Sequence, residues 1–149
     1  MSSRVSLHDA CLEPSDVALL QPGQWLNDAV IHFAYEHMAH ECFRSDAMLL
    51  LSPAIVTMIQ FLEDPVELHA LLEHTDLSMR SLVFLPINDT NDVGVANAGS
   101  HWTLLVFARE TMTFHHFDSL SSVNCLKVAR KVAARLSPLL SPKGVSLFL

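Results

Sequence analysis

Two polar residues, His101 and Asp118, stand at the ends of neighbouring apolar segments and could act together as a base and its orienting acid. Residues 101–107 and 113–119 are rich in aromatic and β-branched side chains, which predicts two strands. The short link between them favours an antiparallel hairpin. If the turn centres on residues 109 and 110, paired residue numbers sum to 219, so His101 lies directly opposite Asp118.

A carboxylate beside an imidazole has a definite chemical use. It accepts a hydrogen bond from one ring nitrogen, fixes the tautomer and leaves the other nitrogen free to take a proton from a nucleophile. Two plainer interpretations stay open: His101 as a structural histidine of the hairpin, and Asp118 as a turn-forming residue. The predicted opposition of the two side chains favours the catalytic interpretation.

A second feature, Trp25-Leu26-Asn27-Asp28, lies at the start of a helical pattern. Trp25 could be a core anchor there, and Asp28 an acid that the helix dipole favours in the first turn. Alternatively, Trp25, Asp28 and Trp102 form a narrow slot with indole walls that holds an extended backbone. Such a slot would admit only glycine-like residues, because two indole faces leave no room for side chains.

The elements that must position these residues are predicted from apolar periodicity and turn residues. Residues 1–13 are expected to be a polar leader. Helices are predicted over residues 24–41 and 123–140 and from Ser52-Pro53 and Asp64-Pro65, and strands over 48–51, 81–87 and 145–149. Residues 88–100 carry turn residues throughout, so they form either a lid over the site or a mobile surface connection.

The composition is that of one globular domain over residues 1–149, without a membrane or nucleic-acid signature. Half of the residues are hydrophobic and 17% are charged, which suits a folded core. Neither a signal peptide nor a transmembrane run is visible, so we expect a soluble intracellular protein of the cytoplasm, the nucleus or both. The net charge of −7 argues against nucleic-acid binding and permits a basic protein partner.

The three cysteines, Cys11, Cys42 and Cys125, are too few and too scattered for a disulfide framework, which indicates a reducing compartment. Without a Cys-x-x-Cys pair, a structural zinc ion is not expected. His37 and His40 stand three residues apart beside acidic residues, which leaves a metal-dependent function open as a remote alternative. We expect neither a cofactor nor a bound metal.

Four motifs in this chain resemble those of the ubiquitin-like-protein-specific cysteine proteases, the sentrin-specific group. They occur in the family's order and are Trp25-Leu26-Asn27-Asp28, Pro86-Ile87-Asn88, His101-Trp102-Thr103-Leu104-Leu105 and His116-Phe117-Asp118-Ser119. Within the group, the chain is most similar to the deneddylating members. The resemblance implies an α+β fold of the papain-like cysteine protease type, with a mixed central sheet flanked by helices.

By this resemblance, His101 corresponds to the catalytic base and Asp118 to its orienting acid. Trp25, Asp28 and Trp102 match positions that bind the Gly-Gly tail of a modifier, and Asn88 joins them through its motif. The loop before His101 matches a segment that closes over the tail and helps to select the modifier. The implied partner is a ubiquitin-like modifier protein, with the neddylation modifier favoured and SUMO as the alternative.

The departure from the family concerns the nucleophile. The family's cysteine follows the acid in a Gln-x-x-x-x-x-Cys-Gly segment, and these 149 residues contain no such segment. We therefore expect a portion of a deneddylase-like protease that is incomplete at the C-terminus and inactive alone, because the acyl-enzyme route needs the thiolate. The alternatives are a non-catalytic module that binds a ubiquitin-like modifier, and a SUMO-specific protease.

Overall fold

The computed structural model describes residues 4–92, 94–95, 98–141, 143 and 145–148. The chain divides into two units, Met1–Ser45 and Asp46–Leu149, which differ in architecture. The first consists of a short hairpin and helices. The second is a mixed sheet packed against helices, and it contains both His101 and Asp118.

The first unit begins with a hairpin where a polar leader was expected, so that expectation was wrong. Strands β1 (Val5–Leu7) and β2 (Ala10–Leu12) pair antiparallel. The hairpin forms because Ala10 and Leu12, on the same side of β2, are buried. His8 permits the tight turn between the strands by taking a left-handed backbone conformation with φ of 49°.

Two helices, α1 (Pro14–Ala18) and α2 (Asp28–His37), follow the hairpin. Helix α2 begins later than predicted because Asn27 is its N-cap, with the side-chain oxygen accepting a hydrogen bond from the Val30 amide at 3.1 Å. The chain leaves the helix through a π-helical turn, Met38–Cys42. Trp25 therefore precedes the helix rather than lying within it.

The second unit is built on a sheet that combines parallel and antiparallel pairs. Its described strands are β3 (Met48–Leu50), β4 (Leu82–Asn88), β5 (Trp102–Ala108), β6 (Thr113–Phe117) and β7 (Ser146–Phe148), neighbours in that order. The two inner pairings, β4 with β5 and β5 with β6, are antiparallel. The two outer pairings, β3 with β4 and β6 with β7, are parallel. The predicted α+β class with a mixed central sheet is thus confirmed.

The helices of this unit begin at the predicted signals. They are α3 (Pro53–Phe61), α4 (Pro65–Leu72), two 3-10 turns (Glu73–Thr75 and Leu77–Met79) and α5 (Val123–Leu140). Ser52 caps α3 by accepting from the Ile55 amide at 3.4 Å, and Asp64 caps α4 by accepting from the Val66 amide at 2.8 Å. Across the described residues, no helix is long and apolar enough to cross a membrane.

The core lies between one face of the sheet and these helices. Alternate residues of the inner strands, among them Leu85, Leu105 and Phe107, are fully buried on that face. Side chains from the helices complete the cluster: Val56, Ile59, Leu68, Leu72, Ala129, Val132 and Leu136. Each large side chain buried in this way contributes about 1.5–3 kcal/mol. This packing holds in place the ends of β5 and β6, where the residues of the candidate site lie.

Candidate active site

The hairpin of β5 and β6 has a register two residues away from the predicted one. Leu104 pairs with Phe117, so paired numbers sum to 221, and the predicted direct opposition of His101 and Asp118 was wrong. The turn is longer than assumed: the Met112 amide donates to the Arg109 carbonyl at 3.2 Å, and Met112 has φ of 51°. Because a two-residue shift keeps every side chain on its own face, His101 and Asp118 become diagonal neighbours on one face.

The two side chains nevertheless meet as the sequence predicted. His101 Nε2 lies 2.7 Å from Asp118 Oδ1, a short charge-assisted hydrogen bond. Their side chains are only 9% and 8% exposed, so little water competes for this contact. His101 directly precedes β5 and Asp118 directly follows β6, so the pair occupies one end of the buried hairpin.

Asp118 is fixed by three donors. Besides His101, the Leu120 amide donates to Oδ1 at 2.8 Å and the Ser122 amide donates to Oδ2 at 2.6 Å. Burial raises the pKa of Asp118, but the hydrogen bonds from Leu120, His101 and Ser122 outweigh it and lower that pKa to about 2. The carboxylate is therefore ionised and aimed at the imidazole throughout the physiological pH range.

The ionised acid decides the tautomer of the base. An ionised carboxylate can only accept, so Nε2 of neutral His101 carries the proton and donates it to Asp118. The lone pair then resides on Nδ1, which is the nitrogen that could take a proton from a thiol. A nucleophilic mechanism requires this arrangement, in which the acid orients the ring and the free ring nitrogen accepts the proton.

Two residues that sequence reasoning did not group with the pair lie beside it on the same face. Thr103 Oγ1 and His116 Nε2 are hydrogen-bonded at 2.8 Å, and burial lowers the pKa of His116. His115 pairs with Val106 and His116 with Leu105, so the two adjacent histidines occupy opposite faces, as their spacing predicted. Strand alternation could have placed Thr103 next to the site when counted from His101, and His116 when counted from Asp118.

Cys125, the thiol that follows the acid in the sequence, is not placed to act as a nucleophile. It is fully buried near the start of α5, where its Sγ donates to the His101 carbonyl at 3.7 Å. Burial raises the pKa of this thiol, which disfavours the reactive thiolate. Cys125 therefore packs behind the histidine and supports its backbone.

The candidate tail-binding residues fall in both units. In the first, Trp25 is 67% exposed, so its interpretation as a core anchor was wrong; Asp28, also exposed, is the first residue of α2. In the second, Asn88 and Trp102 form the last pair of the β4–β5 ladder, on the face opposite the core. The structure thus brings Asn88 and Trp102 together, while the slot of Trp25, Asp28 and Trp102 stays a prediction.

The histidines considered for a metal make other contacts. His40 lies against the His8 ring, with centroids 3.9 Å apart, and its Nε2 is 3.5 Å from Glu36 Oε2. Within the described ranges, no group of three or more His, Cys, Asp or Glu residues is arranged to hold a metal ion. His37 lies in the last turn of α2.

Comparison with known proteins places this geometry in a family context. The Ulp1 protease family, C-terminal catalytic domain, matches residues 24–140. Sentrin-specific protease 8 from Rattus norvegicus is 40% identical over 144 residues, which are 94% of this chain and 64% of that protein. NEDD8-specific protease 1 from Arabidopsis thaliana is 34% identical over 137 residues, or 92% of this chain and 60% of that protein. The chain thus spans less than two thirds of the length of these relatives.

Solved structures show the same fold at low identity. The Ulp1 protease domain in complex with Smt3, the yeast ortholog of SUMO, superposes with a TM-score of 0.71 at 18% identity, over 99% of this chain and 66% of that one. Xanthomonas XopD gives a TM-score of 0.59 at 24% identity, over 83% of this chain and 71% of that one. Both are similar to this chain in fold.

Proposed function

The chain belongs to the Ulp1 protease family, and from that premise we propose that it carries the base and the acid of a deneddylase-like cysteine protease. Such an enzyme cleaves the bond after the terminal Gly-Gly of a ubiquitin-like modifier. The observation that carries the proposal is the 2.7 Å hydrogen bond between His101 and Asp118. His101 Nδ1 would deprotonate the attacking thiol and later protonate the leaving amine, while Asp118 orients the ring.

In this proposal Asn88 and Trp102, the last pair of the β4–β5 ladder, bind the extended Gly-Gly tail. Trp25 and Asp28 are further modifier-binding residues by their match to the family motif. The Trp25 side chain is 67% exposed, so its indole is available to contact a partner. The names of the relatives favour NEDD8 over SUMO as the modifier. A location in the cytoplasm or nucleus fits the three free thiols.

In this proposal the attacking thiol is that of the family's Gln-x-x-x-x-x-Cys-Gly segment, which the 149-residue sequence does not include. The chain is therefore paired, for the test, with the C-terminal remainder of human sentrin-specific protease 8, a relative that is 40% identical and of which the chain covers 66%. We expect this chimera to hydrolyse a fluorogenic conjugate at the NEDD8 C-terminus, and His101→Ala to lower kcat about 100-fold or more. If His101→Ala leaves the turnover of the chimera unchanged, the assignment of His101 as the base is refuted.

The chain alone allows a second test that needs no chimera. It should bind NEDD8 without hydrolysing the conjugate, and Trp25→Ala should weaken that binding about 30-fold without changing the melting temperature. Val66→Ala, at a position that is 74% exposed on α4, is the matched control and should change neither quantity. Turnover by the unmodified chain that Cys125→Ser abolishes would contradict the assignment of Cys125 as a buried support.

A non-catalytic module that binds a ubiquitin-like modifier is the second candidate. The observation that favours it is the complete burial of Cys125, the one thiol that follows Asp118. A chimera that binds NEDD8 as tightly as the chain does but shows no turnover at any pH would select this candidate over the protease.

A further inference from the structure

We propose that Asp89 is a positioning residue, whose carboxylate holds the backbone of His101 and thereby aims the imidazole at Asp118. The inference rests on the proposed function for the role of His101 as a base. It uses only described residues at the two ends of the segment 89–100, which joins β4 to β5.

The Asp89 carboxylate accepts three hydrogen bonds from the far end of that segment. Oδ1 accepts from the Ser100 amide at 2.6 Å and from the His101 amide at 3.1 Å, and Oδ2 accepts from the Ser100 hydroxyl at 2.6 Å. Burial raises the pKa of Asp89, but these bonds from Ser100 and His101 lower it overall. The contacts are therefore charge-assisted and stronger than those of a neutral acceptor.

The position of Asp89 in the sheet explains why a side chain is needed there. The β4–β5 ladder ends at the pair Asn88 and Trp102, and the same register carried one step further sets Asp89 opposite His101. At that step the Asp89 side-chain carboxylate, rather than its backbone carbonyl, accepts a hydrogen bond from the His101 amide. The Asp89 side chain thus continues the hydrogen bonding of the sheet by one residue, to His101.

Hydrogen bonds therefore hold His101 at three of its own groups: the backbone amide, the backbone carbonyl and the ring. Asp89 accepts from its amide, Cys125 Sγ donates to its carbonyl, and Asp118 accepts from its ring. A histidine side chain has only two rotatable bonds, so a fixed backbone leaves few placements in which Nε2 reaches Asp118. Without Asp89 the amide loses its anchor, and the ring is expected to sample placements that do not reach the acid.

The surrounding contacts fix Asp89 itself. Buried Gln60 donates from Nε2 to the Thr90 carbonyl at 2.9 Å, which ties the start of the segment to α3. Gly99 lies so close to Asn88 that a β-carbon there would collide with the Asn88 amide group. Both ends of the segment are thus constrained next to Asp89, which is what a positioning residue requires.

The test uses the isolated 149-residue chain and needs no modifier. Long-range ¹H–¹⁵N correlation spectra report which ring nitrogen of His101 carries the proton, and amide hydrogen exchange reports the restraint on the backbone. We expect Asp89→Ala to speed exchange at the His101 amide by about tenfold or more and to weaken the His101 Nε2–H signal. Asp89→Asn should keep the exchange rate and the Nε2–H signal of His101 near their wild-type values. The reason is that its Oδ1 can still accept from the Ser100 and His101 amides.

Asp92→Ala is the matched control, since this acid lies in the same segment and its Oδ1 accepts from the Gly94 amide, at 2.8 Å, rather than from His101. It should change neither readout at His101. An Asp89→Ala spectrum in which both readouts match the wild type overturns the proposal. If Asp89→Ala unfolds the chain, the wild-type chain supplies the test: protection of the His101 amide comparable to that of the paired β5 amides supports the proposal, and exchange as fast as that of an exposed amide overturns it.

These outcomes separate the two proposals. If the wild-type chain itself shows no His101 Nε2–H signal of a hydrogen bond to Asp118, the proposed function fails first. If the wild type shows that signal and Asp89→Ala leaves it intact, only the role of Asp89 fails.

Discussion

Replacing Asp118 by Asn tests how much the hydrogen bonds of this carboxylate contribute to the free energy of unfolding. Its Oδ1 accepts from His101 Nε2 and the Leu120 amide, and its Oδ2 accepts from the Ser122 amide. An Asn that keeps the first two bonds turns its NH₂ group toward the Ser122 amide, so one charged hydrogen bond becomes a contact between two donors. We expect a loss of about 1.5–3 kcal/mol in the free energy of unfolding. Asp118→Ala, which removes all three acceptor contacts, should cost about 3–5 kcal/mol.

The same substitution should remove part of the pH dependence of stability. Asp118 has a pKa of about 2 in the folded chain, against about 3.9 for an unfolded aspartate. A pKa that is lowered on folding stabilises the protein fully above the unfolded value and loses that contribution as pH falls through the folded value. The difference between wild type and Asp118→Asn should therefore be constant above about pH 5 and shrink toward pH 2.

Urea unfolding at pH 7, 5, 4 and 3 measures this difference, with m-values compared to confirm that the unfolding transition is unchanged. Asp92→Asn is the control: its exposed carboxylate accepts a hydrogen bond from the Gly94 amide, so the effect of the substitution on stability should stay within about 0.5 kcal/mol. Equal stability of Asp118→Asn and wild type at pH 7, or a difference that does not shrink on acidification, would refute the reasoning.

Three further substitutions test other parts of the structure. Gly99→Ala should displace the Asn88 side chain, visible as a large chemical-shift change of the Asn88 side-chain amide; an unchanged Asn88 resonance would contradict the close approach. Cys125→Ser should lower stability by about 1–3 kcal/mol in urea, because a hydroxyl replaces a fully buried thiol; a neutral effect would contradict its place in the core. Thr103→Val should also destabilise, by about 1 kcal/mol, since it removes the hydroxyl bonded to His116, and unchanged urea unfolding would argue against that bond.

Much of the second unit could be predicted from the sequence because its signals are local. Ser52 and Asp64 mark helix starts by their side-chain chemistry, and both cap the helices expected of them. The apolar strands β4 and β5 are recognised by composition alone. The pairing of His101 with Asp118 survived a wrong register because a two-residue shift preserves the face on which each side chain lies.

Other features depend on contacts that sequence periodicity does not encode. The turn between Arg109 and Met112 is set by a left-handed backbone conformation at Met112, and methionine gives no turn signal. The β1–β2 hairpin has only three residues in each strand, too few for an alternating pattern to be recognised. Asp89 acts on residues at the far end of a loop, so its partners became visible only in the folded chain.

The proposed function predicts that the tail of a modifier reaches the base. Because these 149 residues contain no family nucleophile segment, a complex with uncut NEDD8 should persist long enough for nuclear Overhauser measurements. Cross-peaks between the His101 ring protons and the α-protons of the terminal NEDD8 glycines are the result we predict. A complex in which those glycines contact neither His101 nor Trp102 would contradict the proposal that this fold presents its base to a Gly-Gly tail.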